Sequence, residues 1–71
     1  MIVYKRKLTM EDVCNLDKDE ELIYYKTGDV AIVVEKVNDK YVARKKRISD
    51  NELIDEELLK RVDEVMDFAW N

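Results

Sequence analysis

Apolar and polar residues alternate over much of the first two thirds of the chain and recur at helical spacing over the last third. In residues 2–8, Ile2, Tyr4 and Leu8 fall on one alternation face, interrupted by Arg6, and Val3, Lys5 and Lys7 fall on the other. That is the pattern of a half-buried strand. Thr9 with Asp12 three residues on resembles a capping box with aspartate in place of the usual glutamate, and it predicts a helix of two turns at most over residues 10–16. Residues 17–21 are a polar connection.

Strand character resumes over residues 22–25, and residues 26–29 supply a turn in which Gly28 can take the positive φ that a branched residue resists. Residues 30–37 are apolar on both faces over their first half, which predicts a central strand. Asn38-Asp39 reads as a two-residue hairpin turn, and residues 41–48 return as a strand ending in the basic run Arg44, Lys45, Lys46, Arg47. Strands two, three and four therefore form a meander. The pattern leaves the place of the first strand open.

Ser49 with Glu52 forms a second capping box, directly ahead of an unbroken run of helix formers, and predicts one acidic amphipathic helix over residues 50–71. At about 100° per residue, Leu53, Ile54, Leu58, Leu59, Val62, Val65, Met66, Phe68, Ala69 and Trp70 collect in an arc of roughly 200–260°. Packing on one sheet needs a stripe only somewhat wider than about 100°. Either the small domain uses every apolar residue to cover its own sheet, or a flank of the helix contacts another chain. The expected fold is α+β in the order β-α-β-β-β-α: a three- or four-stranded antiparallel sheet with the long helix packed on one face.

With 71 residues the chain makes one domain, of a size at which a single core rarely gives more than roughly 3–5 kcal/mol. One cysteine rules out an internal disulfide, and the lack of histidine removes the commonest zinc ligand. Self-association is the supplement left. The net charge of −4 conceals an asymmetry: residues 1–49 carry 11 basic and 9 acidic side chains and residues 50–71 carry 2 and 8, so the two parts stand at +2 and −6. Met1 leads straight into a strand with no apolar leader segment, and no apolar run could span a bilayer, so a cytoplasmic location is expected, with no membrane partner.

Catalytic chemistry finds little support. Without an imidazole there is no base for a serine or cysteine nucleophile, and Cys14, among Val13 and Leu16, reads as a buried structural thiol. Asp17, Asp19 and Glu21 have the alternating spacing that opens a calcium loop, but the sixth position is Leu22 instead of glycine and the twelfth is Gly28 instead of glutamate. No cofactor or metal is expected, and no enzyme activity.

Three binding readings follow. The first is a non-catalytic protein-interaction module, a regulator or inhibitor of its partner or a homodimer, with a contact surface of Leu59, Met66 and Trp70 flanked by Glu56, Asp63 and Asp67. The second is a nucleic-acid-binding sheet face using Lys5, Lys7, Arg44, Lys46 and the tyrosines, Tyr41 foremost, with the net negative charge against it. The third is an acidic DNA mimic, for which −4 is a modest charge. The acidic run could also be met by the protein's own Arg44–Arg47 segment. Nothing in the residues names the partner.

Overall fold

A computed structural model describes residues 1–26 and 28–70. The chain is α+β, as its pattern implies, with a five-stranded mixed sheet and a C-terminal helix. The elements run β1 (Ile2–Lys5), α1 (Met10–Cys14), β2 (Glu21–Lys26), β3 (Val30–Val37), β4 (Lys40–Arg47), β5 (Leu53–Leu59) and α2 (Val62–Trp70), and the strands lie side by side in chain order. The meander β2-β3-β4 is antiparallel and β3 is central, both as predicted.

The position of β1 is now fixed. It lies parallel to β2, with Ile2 opposite Glu21 and Tyr4 opposite Ile23. A parallel neighbour needs a crossover, which α1 provides. That helix opens on the predicted capping box: the Asp12 backbone N–H donates to the Thr9 hydroxyl oxygen at 3.2 Å, and the Thr9 backbone N–H donates to the Asp12 carboxylate at 3.2 Å. It is shorter than residues 10–16, ending at Cys14. At the two hairpins of the meander, Asn38 has φ +58° and Gly28 has φ +87°, left-handed values that asparagine and glycine tolerate best. Of the predicted turn 26–29, Thr27 lies outside the described residues.

The largest departure is in residues 50–71, where one long helix was expected. Residues Leu53–Leu59 form an antiparallel edge strand on β4, and the helix is confined to Val62–Trp70, with Asn71 outside the described residues. The sheet is accordingly five-stranded and mixed instead of three- or four-stranded and antiparallel. The cause is the basic run of β4. In register, Arg44 faces Glu56 and Lys45 faces Asp55, so pairing in the sheet places unlike charges opposite each other across the strands. Arg44 Nε donates to Glu56 at 2.6 Å. Just beyond the strand, Arg47 donates to Glu52 at 2.8 Å and to Asp50 at 3.1 Å. Cross-strand pairs of this kind, added to a full ladder of backbone hydrogen bonds, outweigh helix preferences of a few tenths of a kcal/mol per residue. The second capping box does not form: Ser49 donates from its N–H and hydroxyl to Asp29 in the β2–β3 turn, and Glu52 is taken by Arg47. Instead α2 starts where the Glu64 carboxylate accepts from the backbone N–H groups of Lys60 and Arg61.

Both helices cover the same face of the sheet. Leu22, Tyr24, Ile32, Val34 and Tyr41 point toward them and form the core with Leu8, Val13, Leu16, Val65 and Ala69. Val3, Leu59, Val62 and Met66 pack around that cluster. Among the described residues no helix is long and apolar enough to cross a membrane.

Candidate functional site

Since side chains alternate between the two faces of a strand, the residues between those core positions point the other way. Among the described residues no helix or strand covers that second face. The register arranges it in three rows across the sheet. The first is Ile2, Glu21, Glu35, Val42 and Leu58; the second is Tyr4, Ile23, Val33, Arg44 and Glu56; the third is Tyr25, Ala31, Lys46 and Leu53. Its β1–β2 half is apolar and aromatic, and its β3–β5 half carries most of the charge.

Several of these apolar side chains stand in the open. Ile2 is 52% exposed, Tyr4 58%, Tyr25 49% and Leu58 61%. Tyr4 and Tyr25 stack on each other with centroids 5.9 Å apart and planes 2° from parallel, an offset-stacked pair that joins β1 to β2 on this face. Beside them Ile23, Tyr25, Ala31, Val33 and Lys46 line a shallow open depression. Val33 and Ala31 are themselves buried, because the longer side chains around them close over the strand.

A polar band crosses this apolar ground. Arg44 donates to Glu56 at 2.6 Å and to Glu35 at 3.2 Å, so its guanidinium is held from both sides, and the bond to Glu56 followed by the charge of Glu35 raises its pKa. Glu35 is in turn the register partner of Glu21. Two carboxylates placed opposite one another repel unless they share a proton. For Glu21, the hydrogen bond to Glu35 first, then burial and the charge of Glu35, push the pKa above the ordinary glutamate value. The same hydrogen bond, with Arg44 behind it, holds Glu35 below that value against the effect of burial.

The residues expected to form a partner surface are dispersed. Leu59 and Glu56 belong to β5 and point to opposite faces, Leu59 toward the core beside Tyr41 and Glu56 toward Arg44. Met66, Asp63, Asp67 and Trp70 are on α2, where Met66 packs against the core and Trp70 lies tilted over Tyr24 at 6.0 Å. They do not form one flank of one helix. The basic set is divided too. Arg44 and Lys46 point to the open face, while Tyr41 is buried on the helix face. Lys5 sits beside Asp12 of α1 at 3.3 Å, and Lys7 follows β1. The basic strand β4 lies between β3 and β5 in the sheet. Cys14, expected to be buried, is exposed, in a shallow depression that Val62 of α2 also lines.

Of the open-face residues, Ile2, Ile23 and Leu58 were not singled out from sequence, and Tyr4 and Tyr25 entered only among the tyrosines of the nucleic-acid reading. The alternation of Ile2 with Tyr4 and of Ile23 with Tyr25 was the available signal, but it could not say which face the helices take.

No protein-family model matches the chain, and no curated protein or solved structure matches it either.

Proposed function

We propose that this protein is a non-catalytic protein-interaction module whose contact surface is the open face of its sheet. One observation carries the reading: among the described residues an entire sheet face is left without a covering layer, and beside its charged band it carries exposed Ile2, Tyr4, Tyr25 and Leu58. Sheets in small domains keep one face apolar for the core and the other polar for water. Aromatic side chains at a surface, backed by a satisfied arginine, have the composition of the core of a protein interface, and the charges around them offer specificity.

The charges of the face favour a protein over a nucleic acid. Its acids are Glu21, Glu35 and Glu56 against the bases Arg44 and Lys46, and Arg44 is already engaged by two carboxylates. A polyanion would meet a surface with no excess of positive charge, and the stacked tyrosines already use part of their ring faces on each other.

The test is affinity capture from the cells of origin with the wild-type chain and with a Tyr25→Ser/Leu58→Ser variant. Tyr25 is 49% exposed and Leu58 61%, so the variant should fold normally by circular dichroism. Proteins retained by the wild type should be lost by the variant, whereas equal retention by both overturns the reading. Titration of a labelled single-stranded oligonucleotide at low salt should show no binding.

A further inference from the structure

We propose that the occupant of the open face is a second copy of this chain, giving a two-fold dimer in which the sheets pack face to face with their strands antiparallel. The inference rests on the open face being a contact surface, and it specifies the partner.

The size of the chain is the first support. A domain of 71 residues with one cysteine and no histidine has no internal disulfide and no ordinary zinc site to supplement its core. Its two helices, of five and nine residues, are together enough to cover one side of the sheet only. A second sheet laid on the first buries the remaining apolar residues without any further element. Two layers about 10 Å apart are the ordinary solution for an antiparallel sheet.

The layout of the face supplies the second support, because it is complementary to itself. A two-fold interface brings the same patch of both copies together, so a contact from one residue to another is matched by its reciprocal. Let the axis run across the strands at the level of the middle row. Every strand then lies over its own copy, and the first row lies over the third. The aromatic half meets the aromatic half. Leu58 meets Leu53, Glu21 meets the hydroxyl-bearing Tyr25, and Glu35 comes down over Ala31 beside Lys46 of the other chain, with each of these contacts repeated by symmetry. In the middle row Arg44 and Glu56 each come over their own copies, and the like charges are offset because within each chain Arg44 is bonded to Glu56 and Glu35. The other two-fold axis, along β3, is worse: it sets Ile23 over Arg44 and Glu35 over Glu35.

Edge-to-edge pairing is a poorer route to a dimer. Two β5 edges brought together antiparallel would oppose Asp55, Glu56 and Glu57 to themselves. Five strands about 4.8 Å apart, in a molecule 30 × 20 × 18 Å, present on the order of 500 Å² per copy in projection, which is at the low end for a specific interface and places the dimer among the weak, transient ones.

Sedimentation of the wild-type chain from about 10 µM to about 1 mM tests this, supplemented by mixing of charge variants. The expected result is a shift from the 8.5 kDa monomer to twice that mass across the range. Glu35→Lys and Lys46→Glu should each weaken association at least about tenfold, and an equimolar mixture of the two should recover it. Only a contact between chains predicts that recovery, since within either variant the altered charge pattern persists. Leu58→Ser, away from the ion pairs, should weaken association in the same way and serves if a charge variant fails to fold. A wild-type chain that remains at 8.5 kDa up to about 1 mM overturns the second copy as occupant, and the capture experiment then decides whether the face binds another protein. A dimer that is insensitive to Leu58→Ser and is not restored by mixing overturns the proposed face.

Discussion

Arg44 is the residue on which the open face turns. It joins Glu35 of β3 to Glu56 of β5, and through Glu35 it reaches Glu21 of β2, so one guanidinium connects four strands. At the far end of this chain Glu21 holds a proton more tightly than an ordinary glutamate, because of its hydrogen bond to Glu35 and then its burial. A raised folded-state pKa adds stability that is complete below the ordinary glutamate value and is lost as pH climbs through the raised one. Glu35 has the opposite sign: its lowered pKa adds stability above the ordinary value, lost as pH falls through the lowered one. Once both are ionised the two carboxylates repel. Glu21→Gln keeps a donor for Glu35 without a second charge. It should raise stability at pH 7 by about 0.5 kcal/mol and flatten the decline in melting temperature between acidic and neutral pH. A variant whose pH profile matches the wild type would show that Glu21 is not where the proton resides.

At the scale of elements, the strands of the meander, the central position of β3, the Asn38 hairpin and the Thr9 cap were all legible in the sequence, because each depends on neighbours within a few residues. Residues 50–71 were not. Their apolar positions satisfy helical spacing throughout, yet the arc they cover is about twice what packing on a sheet needs. That excess is the trace of two elements read as one. Leu58 and Leu59 serve opposite faces of a strand, and only Val62, Val65, Met66, Phe68 and Ala69 turn inward on the helix. Glu52 and Glu56, a repulsive pair four residues apart in a helix, are separately taken by Arg47 and Arg44 in the sheet. The deciding partner lies in β4, beyond the reach of local pattern. A double-mutant cycle checks this assignment: Arg44→Ala and Glu56→Ala should show a favourable coupling of about 0.5–1 kcal/mol by chemical denaturation. No coupling would mean that Glu56 does not sit opposite Arg44.

For the molecule as a whole, the charge asymmetry has a different meaning from the one its arithmetic suggests. Parts standing at +2 and −6 imply two surfaces of opposite sign. Folding instead lays the acidic run of β5 along the basic run of β4, where the charges meet inside one sheet. What remains outward is an uncovered face of tyrosines, isoleucines and Leu58 crossed by a satisfied polar band, and the account of function rests on that face. The sequence contained its residues but not its exposure, since alternation marks two faces without saying which one the helices cover. The most direct measurement is a dilution series of amide spectra from about 1 mM to about 10 µM. The resonances that move should be those of Tyr4, Ile23, Tyr25, Val42 and Leu58, with Asp63 and Asp67 on the outer side of α2 unmoved. Shifts confined to α2, or no shifts over that range, would contradict the assignment of the open sheet face as the surface through which this chain associates.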